Sequence, residues 1–244
     1  PLIAAADTVY LEATEKEIAE IKDALARDPA MMVTSGPTLP ERLSPAEWNL
    51  LSAEMSDRGV PPFMVSKFRP WYVTMLLGIP PCAMTDSLNG AEGLDHLIGA
   101  IAQEEGVPTL ALEPFDTVFQ VFSGMTPEDE IAMIRLSLSQ ATSAEDTFAT
   151  MLTSYFNESH RELWEFSRLT ALSEAEDREQ TVREFAQMEA MLLTNRNQHW
   201  REVLAKAAPG KTLVVAVGAA HLGGEQGLLS LLAQDGYSLT REEF

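Results

Sequence analysis

Basic residues are scarce in this chain. Its 244 residues carry 17 lysines and arginines against 37 aspartates and glutamates, a formal net charge of −20. Binding a phosphate backbone needs concentrated positive charge, so no nucleic-acid partner is expected. Cysteine is almost absent: Cys82 alone cannot close an internal disulfide, which leaves the redox compartment open. No apolar run reaches the roughly 20 residues of a membrane-spanning helix, so no membrane span is expected. The zinc-protease H-E-x-x-H, the phosphate-binding P-loop, the dinucleotide G-x-G-x-x-G and the G-x-S-x-G nucleophile elbow are all missing. Internal repeats and low-complexity tracts are missing too.

What is present suits a globular enzyme-sized chain. Hydrophobic residues make up 45% of it, enough for the core of one large domain. The acidic surface serves solubility. The most informative stretch is Thr212–Leu239. Thr212–Val217 is β-branched and apolar, the pattern of a buried strand, and Gly218 ends it. His221 follows after two alanines. Leu222, Gln226, Leu229 and Leu232 then recur near helical spacing, Gly236 caps that helix, and Tyr237–Thr240 reads as a further strand. A turn at the carboxyl end of a strand is where open α/β sheets place ligands.

Two other segments end in polar groups at the same kind of position. Thr8–Glu12 alternates as a short strand ending in Glu12, and Val107–Leu112 is a buried-strand run followed by Glu113. Parallel neighbouring strands would bring Glu12, Glu113 and His221 together. Glu12 reads either as a surface carboxylate introducing the next helix or as a metal ligand or general base. Thr14–Glu17 resembles a capping box, and Ser44-Pro45 and Thr126-Pro127 read as helix starts. Met31–Val33 is a candidate strand, and 78–93 reads as an exposed loop. Phe63, Phe68, Trp71, Tyr72, Met75 and Leu76 read as core, or alternatively as a hydrophobic substrate wall. Gly93–Gly106 reads as a helix with Asp95 in its first turn, where a carboxylate suits the helix dipole. Helices run on to Glu174 with breaks near Thr142-Ser143 and Asn157–Ser159, and His160 falls at a helix start on the surface.

Thr181–Ala208 reads as one long helix. Its inward stripe is Phe185, Glu189, Leu192, Arg196, His199 and Val203. Arg196 on an apolar face requires a fixed anionic partner. That partner is either a structural carboxylate or part of a site where the guanidinium orients a carboxylate or an oxyanion.

Gly218-Ala219-Ala220-His221, Leu222, Gly224-Glu225 and Gly236-Tyr237 resemble the C-terminal signature of the TraB/GumN family. Leu11-Glu12, Gly93-Leu94-Asp95, Leu112-Glu113, Asn195-Arg196-Asn197 and Trp200 match it in order, so the resemblance spans nearly the whole chain. That family is similar to Tiki-type metalloproteases and to haem- and erythromycin-esterase-like proteins. The resemblance implies a divalent-metal site built from two G-x-x-H motifs and a glutamate, the first motif on a strand upstream of Pro1. It implies His221 and Glu12 as ligands, Glu12 and Arg196 as catalytic groups, and Asp95, Glu113, Asn197 and Gly218 in support. With one G-x-x-H in hand, Mn, Co or Zn is expected to bind weakly. A periplasmic or secreted location is implied by the family's export signals.

The fold class expected is α/β (α+β): a small central mixed β-sheet flanked by helices. Residues 1–113 and 180–244 would form the core of a single domain, with 114–179 a helical insertion or lid. The function expected is a metal-dependent, peptidase-like hydrolase acting on a peptide or small molecule. The alternative is a non-catalytic binding or regulatory module that keeps the fold. An open strand edge makes a homo-oligomer a further expectation.

Overall fold

Three short runs of β-branched and apolar residues pair as a parallel sheet in the computed structural model. They are β1 (Thr8–Leu11), β2 (Thr109–Ala111) and β3 (Leu213–Ala216). The order is β2-β1-β3, with Tyr10 opposite Leu110 on one side and Val215 on the other. The structure describes residues 1–242 apart from 89, 91, 118, 121–124, 140–143 and 175–176. The side chains of 85–88, 144–145, 160, 163, 174 and 184 are also outside the described set. The helix break at Thr142-Ser143 and the His160 side chain therefore lie outside the described residues.

The central strand is buried along its whole length because helices cover both faces. Val9 and Leu11 point one way and pack with Ala102, Ile98 and Val107 of the helix Leu94–Glu104 and its exit. Tyr10 points the other way, onto Leu112, Trp200, Leu204 and Leu228. This period-2 division is what a half-and-half strand requires. The class is α/β, as expected, and the described strands are all parallel rather than mixed. Tyr237–Thr240 is not a strand. Tyr237 and Leu239 stay exposed after Gly236 ends the preceding helix at φ +94°.

The chain divides into two compact units. The first comprises Pro1–Glu17, Leu94–Phe115 and Thr150–Phe244 and contains the sheet. The second comprises Ile18–Gly93 and Asp116–Ala149 and is helical among its described residues. Its core is Leu39, Leu51, Met55, Val65, Val73, Leu77, Ile131 and Ile134. The helix starts behave as their sequences require. Ser44 and Glu47 form a capping box with Pro45 at the first helical position, and Thr126 and Asp129 cap each other. Trp71, Val73 and Leu77 of the aromatic stretch are buried core, while Phe63 is largely exposed. Two local expectations fail here. Residues Pro81–Leu88 form a helix rather than a loop, and Met31–Val33 supplies only one antiparallel bridge, Val33 to Phe68. No helix among the described residues is long and apolar enough to cross a membrane.

Candidate functional site

The carboxyl ends of the three strands deliver Glu12, Glu113 and the Gly218–His221 turn to one place. Arg196 joins them there. Its Nε donates to Glu113 Oε2 at 2.9 Å, and its Nη2 donates to Glu113 Oε1 at 2.6 Å. The same Nη2 donates to Glu12 Oε2 at 2.7 Å. Nη1 donates to the Leu192 carbonyl and lies 3.2 Å from His221 Nε2. Such a two-pronged hold on one carboxylate uses the planar fork of a guanidinium, which a lysine cannot reproduce. Glu12 is fixed from the other side by the Gly218 amide, which donates to Oε1 at 2.6 Å.

His221 is 5% exposed and ends a short 3-10 turn, Ala219–His221. Its Nδ1 lies 2.7 Å from Asn197 Oδ1. The amide nitrogen of Asn197 donates to the carbonyls of His221 and Gln226 at 3.3 and 2.8 Å. The atom facing Nδ1 is therefore an acceptor, so Nδ1 carries the proton. Nε2 in turn faces the donor-only guanidinium and must present its lone pair. Both contacts call for the neutral ring. Burial and the Arg196 charge push the His221 pKa down to about 4, against an opposing pull from Glu12. Burial would lower the pKa of Arg196, but hydrogen bonds and charge from Glu113 and Glu12 more than offset it, so the guanidinium stays charged.

Trp200 completes the wall. It is fully buried, and Nε1 donates to Glu113 Oε2 at 3.1 Å. Its ring lies 4.7 Å from the Arg196 Cζ and 4.3 Å from the His221 ring. The expectations stopped short of placing Trp200 in the site. Its spacing of four from Arg196 was the usable signal, because such residues share a helix face. Asp95 joins through charge: burial, then the nearby Glu12, raises its carboxyl pKa.

The long helix departs from its expected register. Arg178–Glu189 is α-helical, Ala190–Thr194 is a π-turn in which the Asn195 amide donates to Ala190 five residues back, and Asn195–Ala207 is α-helical again. The wide turn accommodates one extra residue. Within and beyond it the buried positions are Leu193, Asn197, Trp200 and Leu204, each one residue later than the stripe drawn at constant period. Asn197 thus takes the centre of the face, Arg196 sits half-buried at its edge, and His199 is exposed.

A divalent cation suits this donor chemistry. A neutral imidazole with Nδ1–H anchored on a carbonyl-type oxygen is the form in which histidine ligates metal. Two carboxylates against one guanidinium leave the cluster one negative charge in excess. The ligand count is short, however. Among the described residues no three His, Cys, Asp or Glu side chains are grouped to hold a metal ion. His221 and Glu12 could supply two donors, fewer than the usual three of a catalytic site.

No curated protein and no solved structure matches the chain. The sequence model of the TraB/PrgY/gumN family matches residues 1–241, essentially the full length, and the chain belongs to that family.

Proposed function

We propose that the protein is a metal-assisted hydrolase of the peptidase type, with its reacting centre at the carboxyl ends of β1, β2 and β3. The observation that carries this reading is the state of His221. Its ring is buried and neutral, with Nδ1 on Asn197 and Nε2 facing, as an acceptor, the guanidinium that Glu12 and Glu113 hold. His221 Nε2 and a Glu12 oxygen would hold the cation, weakly. When bound, such a cation polarises a carbonyl and lowers the pKa of a water molecule.

The chain's own groups do the rest. Each Glu12 oxygen accepts one hydrogen bond at rest, from Gly218 and from Arg196, and keeps a further lone pair for a water proton. Arg196 is held on Glu113 by two N–H groups, so Nη1, which also donates to the Leu192 carbonyl, is the arm that would turn from His221 to a developing oxyanion. Asn197 keeps the ring in the Nε2-acceptor tautomer throughout. Trp200 steadies Glu113 by donating its Nε1–H to Oε2.

A second reading is favoured by one specific feature. Arg196 already engages both carboxylates and Nε2, so the network is complete without any ligand. A non-catalytic module would need no more than that. Calorimetric titration with Mn²⁺, Co²⁺ and Zn²⁺, run beside cleavage of a fluorogenic peptide library, separates the two. Metal-dependent cleavage that His221→Ala abolishes supports the hydrolase. Peptide binding with neither metal uptake nor turnover supports the module and sinks the hydrolase.

A further inference from the structure

A cavity of about 420 Å³ adjoins this centre, within the range of roughly 300–1,000 Å³ common for small-ligand sites. It shares Asn197 with the site, and Ala220, the residue before His221, lines it. An occupant would thus lie one residue from the reacting groups. Arg161 packs against the loop Gly223–Gly227, which forms one side of the cavity. That loop is tight enough that a Cβ at Gly227 would overlap the carbonyls of Leu222 and Gly223, and Gly224 sits at φ +90°. The loop side of the cavity is therefore shaped by backbone.

The charges in the cavity select the occupant. Arg161 is already committed: it pairs with Glu189 at 2.7 Å and with Glu165 at 3.0 Å. Asn197 offers no donor to a ligand, since both its N–H groups go to carbonyls. An anion entering the cavity would find its guanidinium already paired and would meet two carboxylates. Glu225 is exposed on the rim and forms no ion pair among the described residues. With Glu189 it outnumbers Arg161, so the lining is one charge negative. Leu193, Ala220 and Gly223 offer a small apolar track beside these carboxylates. A methylene stem with a charged tip matches that combination.

We propose that this cavity is a subsite for a basic side chain, lysine or arginine, of a peptide bound across the His221 centre, with Glu225 as the residue that selects its charge. The subsite rests on the hydrolase reading for its peptide, but its test is separate. Labelled hexapeptides differing only in a central Lys, Arg, norleucine or Glu are titrated by fluorescence anisotropy, with chelator present so that metal-dependent turnover is off. The Lys and Arg peptides should bind about fivefold tighter than the Glu peptide, as expected for a solvent-accessible ion pair. Glu225→Gln should bring the four peptides within about twofold of one another, and raising the salt should do the same. Equal affinities in the wild-type protein, a lysine preference untouched by Glu225→Gln, or no saturable binding would overturn the subsite. Turnover without charge preference removes the subsite and leaves the hydrolase. Charge-selective binding without metal-dependent turnover keeps the subsite and removes the hydrolase.

Discussion

Arg196 and His221 meet nitrogen to nitrogen, Nη1 to Nε2, at 3.2 Å. The guanidinium therefore stands on the one imidazole lone pair that a metal ion could use, and a metal bound as proposed would have to displace it. Arg196→Met keeps the length of the side chain and removes the charge. The loss leaves Glu12 and Glu113 without their counter-ion, at a cost of about 3 kcal/mol in the metal-free protein. It also frees Nε2 and doubles the net negative charge of the cluster. Mn²⁺ should then raise the unfolding midpoint of the variant by more degrees than that of the wild type. Equal metal-induced shifts would show that the two cations do not share a site.

The pH dependence of stability follows from the same ring. His221 titrates near 6.5 when unconstrained and at about 4 in the folded chain. Between those values the unfolded chain binds more protons, so stability is lost as pH falls from about 6.5 towards 4. After allowance for solvent screening the loss is on the order of 2 kcal/mol. Asp95 works the other way. Its raised folded pKa means that stability is lost as pH rises through that value, so Asp95→Asn should stabilise the protein at neutral pH. Urea unfolding at successive pH values, with chelator present, checks both. A His221→Gln variant with the same slope as the wild type between pH 4 and 6.5 would refute the first.

Asn197→Asp tests the tautomer. The substitution puts a carboxylate 2.7 Å from Nδ1, where an amide oxygen stood, and removes the donor to the carbonyls of His221 and Gln226. A charged acceptor favours the imidazolium, so the His221 pKa should rise by at least about one unit. Proton NMR of the ring through a titration reads this directly. A lower or unchanged pKa would mean that Nδ1 is not the protonated nitrogen.

Two glycines in the same unit should respond in opposite senses. Gly218 has φ −54° and ψ 136°, a conformation any residue adopts, so its cost on substitution comes from space alone. A Cβ there would lie 3.2 Å from Glu12 Oε1 and crowd the 2.6 Å hydrogen bond. Gly218→Ala should cost about 1 kcal/mol. Gly99 lies inside the helix Leu94–Glu104, where a Cβ meets only Leu11 Cδ1 at an ordinary 3.7 Å. Gly99→Ala should stabilise by up to about 1 kcal/mol through helix propensity. Thermal unfolding of the pair is the check.

Local chemistry made much of the scaffold legible. β-branched runs mark β1, β2 and β3, and Ser44-Pro45 and Thr126-Pro127 mark helix starts, because each depends on neighbours within a turn or two. The α/β class and the family were readable for the same reason. Residues 78–93 misled because the prolines that suggest a loop also begin the helix Pro81–Leu88. Tyr237–Thr240 has strand-forming residues, but strand formation needs a partner edge, and none among the described residues pairs with it.

In the site, sequence determined the inventory: acids after two strands, an imidazole after the third, and an arginine in a long helix. Tertiary structure decided the connections. Only the parallel order β2-β1-β3 sets the three strand ends side by side, and only the extra residue of the π-turn rotates Asn197 inward beneath His221. Neither can be read from spacing, since a periodic pattern assumes an unbroken helix and is blind to which strands are neighbours. The carboxylate partners of Arg196 are 83 and 184 residues away along the chain, and long-range electrostatics of that kind exists only once the backbone has closed around it.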